Sequence, residues 1–237
     1  MELYFTEPEN ISSAQAEFDS FESRHIIKTM RKKEGEPLHF TDGRGNLYAG
    51  RIIATHPVLR VSCQAEKKGV WPSPVQSVLG VASIRPARMD ILIEKATELG
   101  ITRFVLFSSR FSNFQIKNSK RWEKITRQAI KQSNRFYLPE IQVVSGINDF
   151  FSAVADIQNK YCAQQDAARR FNELLTQETD KKTENIVILV GPEGGLDDIE
   201  INQALAQGFI PLNLGAFRLR TETAAISAAS FINILRN

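Results

Sequence analysis

The chain has 237 residues, 42% hydrophobic and 24% charged, proportions that fit one or two ordinary globular domains and exclude a disordered, collagen-like or disulfide-stapled chain. Its formal net charge of +3 is unevenly spread: residues 1–80 carry ten Lys/Arg against ten Asp/Glu, 81–145 twelve against five, and 146–237 eight against twelve, giving 0, +7 and −4. A basic middle third is the electrostatic footprint of a nucleic-acid site, although a solvated surface produces the same count.

The N-terminus, MELYFTEPEN, is acidic and lacks the basic and apolar regions of a secretory signal. No window supplies the 18 or so apolar residues of a membrane span. The expected compartment is therefore the cytoplasm, with no membrane partner. Cys63 and Cys162 have no CxxC companion, and His25, His39 and His56 have no ligands at metal spacing, so neither a disulfide nor a metal is expected.

Along residues 1–70 short apolar runs alternate with turn residues (LHF, TDGRGN, LYAGRII, THP, LRVSC), which reads as a small antiparallel β unit interrupted by one helix near Phe21 to Lys32. The proline-bearing KKGVWPSPVQ marks a boundary near Pro72 to Pro74, separating a domain of residues 1–72 from one of 73–237. Beyond it VQSVLGVAS reads as a buried strand. RMDILIEKATELG follows as an amphipathic helix with Met89, Leu92, Ile93, Ala96 and Leu99 on one face and Gly100 as its stop.

ITRFVLFSS is a second buried strand. SKRWEKITRQAIKQSN is a helix opened by Ser119, with Trp122, Ile125 and Ala129 inward and Lys120, Lys124, Arg127 and Lys131 as one basic stripe, ordinarily a solvated face but here within the +7 block. The segment TQETDKKTEN reads as a polar loop. IVILVGPEGG is a strand running into a glycine turn, and DDIEINQALAQG a helix with Asp197 and Glu200 as a capping box and Gly208 as terminator. FIPLNLG and TETAAISAASFINILRN close the chain as strand and helix, the helix apolar or small on nearly every face. Strands alternating with helices predict a mostly parallel α/β sheet.

In such sheets ligands bind beyond the carboxyl ends of the strands, where GPEGG (191–195) and LGAFRLRTET (214–223) fall. The chain has neither GxxxxGK[ST] nor GxGxxG, and Glu193 would repel phosphates. A glycine turn carrying a carboxylate suits a ligand with hydroxyls, amines or a positive centre, and S-adenosyl-L-methionine is such a ligand. A plain tight turn is the alternative. The small residues after Thr223 are equally those of a closely packed core helix.

GPEGGLDDIEINQALAQGFIPLNLG with RLRTETAA closely resembles the C-terminal signature of the RsmE family, bacterial 16S ribosomal RNA uridine N3-methyltransferases of the SPOUT, trefoil-knotted class. RMDILIEKATELGITRFVLFSSRFS and QAIKQSNRFYLPEI resemble its upstream blocks, and HIIKTMRKKEGEPLHFTDGRGNLYAGRI its N-terminal PUA-like RNA-binding β-barrel. Where the family commonly has arginine, Phe217 stands here, with Arg218 one place later.

The resemblance implies an α/β trefoil-knot domain behind a PUA-like barrel, a homodimer, and a bent S-adenosyl-L-methionine. Its cofactor residues would be Leu189, Gly191, Pro192, Glu193, Gly194, Leu214, Gly215, Leu219, Arg220, Thr223 and Ala224. Arg110, Arg220 and Glu222 would carry catalysis, Arg110 from the opposite subunit. His25, Lys28, Arg31, Arg85, Arg88, Lys95 and Arg135 would contact 16S ribosomal RNA in the small subunit. The alternatives are a non-catalytic RNA-binding or ribosome-assembly protein of the same fold, and a methyltransferase acting on another RNA such as transfer RNA.

Overall fold

The structure is a computed structural model that describes residues 1–67, 75–116, 119–171, 173–174 and 184–236. The predicted boundary at Pro72 to Pro74 and most of TQETDKKTEN lie outside the described residues. The chain divides into two compact units, and residues 127–138 pack with the N-terminal segment in the first of them.

The first unit is built on β1 (Leu3–Phe5), β2 (Gln15–Glu17), β3 (Pro37–Thr41), β4 (Leu47–Ala54) and β5 (Arg60–Lys67), in sheet order β1-β3-β4-β5-β2. The sheet is not wholly antiparallel as expected: β1 pairs parallel with β3, and the other three pairings are antiparallel. Helix α1 (Ser20–Arg24), capped by the Asp19 carboxylate accepting from Glu22 N, runs on through a wider turn to Thr29. Tyr4, Phe18, Ile26, Leu38, Phe40, Ile52 and Val61 form the core of this unit.

In the TDGRGN turn the Asp42 carboxylate accepts from the backbone N–H groups of Arg44 and Asn46. Gly45 there has φ +94, and a Cβ on it would lie 2.1 Å from the Tyr137 ring. Only glycine lets that ring approach the turn.

Part of the basic stripe belongs to this unit and is not solvated. The Lys131 ammonium donates to both oxygens of Glu22 at 3.0 and 2.8 Å, with side chains 8% and 6% exposed. The Arg127 guanidinium lies over the Phe5 ring at 4.9 Å and pairs with Glu7. An ammonium this far from water requires a carboxylate partner, and here the partner lies more than a hundred residues away in sequence.

The second unit is one parallel sheet of β6 (Ser77–Ala82), β7 (Arg103–Ser108), β8 (Glu140–Gly146), β9 (Asn159–Ala163), β10 (Ile186–Val190) and β11 (Ile210–Leu212), in order β11-β9-β10-β6-β7-β8. One face carries α2 (Pro86–Glu98) and α6 (Thr221–Arg236), packed on Leu79, Val81, Phe104, Leu106, Ile186, Ile188 and Val190. The other carries α4 (Ile147–Ala153) and α5 (Asp198–Ala206), packed on Val78, Val105, Phe107, Val187 and Leu189. Helix α3 (Lys120–Gln132) buries Trp122 and Ala129.

The predicted helix signals have local causes. Asp197 and Glu200 form the reciprocal capping box of α5, and Gly100 and Gly208 take the positive φ that ends α2 and α5. Among the described residues no helix is long and apolar enough to cross a membrane, and no group of three or more His, Cys, Asp and Glu has metal-holding geometry.

Candidate functional site

Strands β11, β9 and β10 are neighbours in the parallel sheet, so their carboxyl ends open on one side, and a cavity of about 340 Å³ lies there. It is lined by Ala163 to Asp166 after β9, Val190 to Leu196 after β10, and Leu214, Gly215 and Phe217 to Leu219 after β11, with Thr221 and Ala224 of α6. Its size is at the lower end of that of small-molecule sites.

The turn after β10 is shaped by backbone contact. Gly195 N donates to Pro192 O at 2.9 Å, and a Cβ on Gly191 would stand 3.0 Å from Leu196 N. A Cβ on Gly194 would instead stand 3.0 Å from Phe111 Cβ. Phe111 is 44% exposed, with the Arg110 guanidinium over its ring at 5.8 Å. After β11, Gly215 N donates to Asn213 Oδ1 at 2.8 Å, which turns the 214–219 segment.

Eight of the expected cofactor residues line the cavity: Gly191, Pro192, Glu193, Gly194, Leu214, Gly215, Leu219 and Ala224. Leu189 does not. It is fully buried on the opposite face of β10, among Val187, Cys162 and Phe209, and its backbone is paired to β9 and β6. The lining residue of β10 is Val190, one position on, because successive strand side chains alternate faces. Arg220 and Thr223 are exposed and outside the lining. Gln164, Gln165 and Asp166 line the cavity although no glycine or motif marks them.

Arg110 is anchored at the start of α5, where its N–H donates to Glu200 Oε1 at 3.0 Å and its Nη1 stands 3.0 Å from Asp197 Oδ2. The backbone N–H of Glu200, followed by Arg110, holds the Asp197 carboxyl below its usual range. Glu222, in the first turn of α6, has Arg88 Nε at 3.7 Å from its Oε1.

The expected RNA residues are of two kinds. Lys28, Arg31 and Arg85 are exposed, and His25 is half-buried against the Tyr4 ring. Arg88 is turned into the site instead: its Nη1 stands 3.1 Å from Glu193 Oε1. Lys95 pairs with Glu94 and Glu98, which raise its pKa through hydrogen bonds. Arg135 is half-buried, and burial pushes its guanidinium down to about 10.

Residues 71–233 match the RNA methyltransferase domain family. The ribosomal RNA small subunit methyltransferase E of Rickettsia conorii is 30% identical over 215 residues, covering 89% of this chain and 86% of that one. The crystal structure of a ribosomal RNA small subunit methyltransferase E from Neisseria gonorrhoeae bound to S-adenosyl methionine superposes with a TM-score of 0.79 at 26% identity, covering 97% and 95%. A probable rRNA-methyltransferase from Porphyromonas gingivalis superposes at 0.82 with 26% identity, covering 100% and 98%.

Proposed function

The chain belongs to the ribosomal RNA small subunit methyltransferase E family of RNA methyltransferases, and from that premise we propose that it methylates N3 of a uridine in 16S ribosomal RNA, using S-adenosyl-L-methionine. The observation that carries this reading is the cavity beyond β9, β10 and β11, edged by the glycine turn and the 214–219 segment. The residues fit the cofactor on two counts. Gly191, Gly194 and Gly195 border the cavity with no side chains, and the buried Oε2 atoms of Glu193 and Glu222 have no hydrogen-bond partner among the described residues.

Gly191, Gly194, Leu214 and Leu219 would hold adenosine through their backbones, with Gln164 to Asp166 on the facing side. When bound, the cofactor supplies an electrophilic methyl group. N3 of uracil is largely protonated at neutral pH, so the protein has to take up a proton or stabilise charge developing on the flanking carbonyl oxygens. Arg110 and Arg220, both exposed, are suited to the second task; their guanidinium groups donate in a fixed fork.

RNA contact falls to Lys28, Arg31 and His25 on the first unit, which we read as the PUA-like domain, and to Arg85 on the second. We read the second unit as the trefoil-knotted domain that the family resemblance implies; in it the chain reaches the sheet edge at β11 and returns in α6 to pack on β6 and β10. A homodimer is supported by α6: its own unit covers Ala225, Ala228, Ala229 and Ile232 but leaves Ile234 53% exposed and Thr223 open. The compartment that suits this substrate is the cytoplasm.

Incubation with methyl-labelled S-adenosyl-L-methionine and small ribosomal subunits, followed by mapping of the modified base, tests the reaction. Label on a single 16S uridine at N3 is expected. Label on guanosine, or on transfer RNA only, overturns the substrate assignment. A monomeric mass by sedimentation at micromolar concentration, with full activity, overturns the dimer.

A further inference from the structure

Arg88, Glu193 and Glu222 come from α2, the 191–195 turn and α6, and they meet as one ion cluster. Arg88 Nη1 stands 3.1 Å from Glu193 Oε1, and Arg88 Nε stands 3.7 Å from Glu222 Oε1. Neither the charges nor the hydrogen bonds of this cluster balance. One guanidinium against two carboxylates leaves one negative charge uncompensated. The second oxygen of each carboxylate is buried without a hydrogen-bond partner among the described residues, a loss that folded proteins rarely tolerate unless water or a ligand makes it good. Glu193 lines the cavity, and Thr221 and Ala224, which flank Glu222, line it as well.

A ligand that answers both the charge and the hydrogen bonds of this cluster is therefore cationic and donates more than one hydrogen bond. An anion fails on charge. Adenosine hydroxyls donate hydrogen bonds but bring no charge, and a sulfonium brings charge but has no N–H to donate. An ammonium group brings one positive charge and three donors.

Resting on the proposed cofactor, we infer that Glu193 and Glu222 are the seat of the ammonium group on its aminoacyl tail, and that Arg88 is a positioning residue. Arg88 occupies the first oxygen of each carboxylate, which leaves the second oxygens for the ligand. On this reading the basic residue that opens α2 serves the cofactor and not the RNA.

Calorimetry on the full chain with three probes tests the assignment. S-adenosyl-L-methionine carries sulfonium, ammonium and carboxylate, S-adenosylhomocysteine keeps the ammonium and carboxylate on a neutral thioether, and 5′-methylthioadenosine has the same neutral thioether without either group. Glu193→Gln is expected to weaken the first two by roughly 10–100-fold, the range for a hydrogen bond to a charged group, and to leave 5′-methylthioadenosine unchanged. Arg88→Met should give the same split and Arg88→Lys should restore part of it. Glu222→Gln is a second reading of the seat should Glu193→Gln fail to fold.

Equal losses for all three probes would mean that the cluster only shapes the turn, and this outcome overturns the inference. No loss with any probe overturns it as well. Wild-type protein that binds none of the three would overturn the cofactor assignment itself, which separates that failure from failure of the seat.

Discussion

Replacing Lys131 with Met keeps the length of the side chain and removes its charge, leaving Glu22 buried with a single donor, Phe5 N at 3.1 Å. The native pair is bidentate and nearly dry, at 3.0 and 2.8 Å with 8% and 6% exposure, so solvent screening gives little relief. Breaking one side of such a pair costs about 3–5 kcal/mol, whereas an exposed pair is worth about 0–1. At about 1.4 kcal/mol per decade, exchange of the slow amides of β3, β4 and β5 should accelerate by about two to three and a half orders of magnitude. Hydrogen exchange read by mass spectrometry measures this unit by unit, and β6 and β10 serve as the internal control. Converting Glu22 to Gln as well should return part of the loss, because the amide leaves no buried charge and keeps an acceptor for Phe5 N. Less than tenfold acceleration in the single variant would show that Lys131 is the solvated residue its helical spacing suggests. Failure of the double variant to recover would put the loss down to packing.

Gly191→Ala places a Cβ 3.0 Å from Leu196 N, so the turn must give; calorimetry should show reduced S-adenosyl-L-methionine affinity, and unchanged affinity would remove the turn from the site. Burial pushes the Cys162 thiol up to about 11, so at pH 8 it should resist iodoacetamide in the native protein and react on unfolding; rapid native labelling refutes that burial. The Asp197 carboxyl is held below its usual range, by Glu200 N–H first and Arg110 after. Its stabilising contribution is therefore present above the ordinary carboxylate range and lost as pH falls through the lowered value. Asp197→Asn keeps the cap and removes the charge, so the gap in urea midpoint between wild type and variant should be present at pH 7 and close on acidification toward pH 3. A gap of the same size at both pH values would mean that the charge is not its source.

Features fixed within a few residues were readable in the sequence. The capping box of Asp197 and Glu200 and the strand-then-turn of IVILVGPEGG each depend on neighbours in sequence, and the structure shows them where they were expected. The phase of β10 was not readable, because a parallel strand covered on both faces is apolar at every position and carries no alternation. Leu189 and Val190 are therefore equivalent in sequence and opposite in space. Arg127 and Lys131 sit on a helix at spacings that read as solvated and Arg88 reads as an RNA contact, while their acidic partners lie 105 residues or more away, beyond any local pattern. Gln164 to Asp166 reach the cavity only because β9 enters the sheet between β11 and β10, a crossover that local signals do not encode.

The membership of residues 127–138 in the first unit also sets the order of events during synthesis. Strands β1 to β5 are complete once residue 67 has been made, yet Glu22, the Gly45 turn and the Phe5 ring then lack Lys131, Tyr137 and Arg127. At roughly 5–20 residues per second, the nascent chain waits on the order of 4–14 s for the segment that completes its first unit. In that interval β6, α2 and β7 emerge, so the second unit has begun to be translated before the first can finish. A chain cut near residue 72 would be held permanently in that waiting state, with all five strands made but Glu22 lacking Lys131 and the Gly45 turn lacking Tyr137.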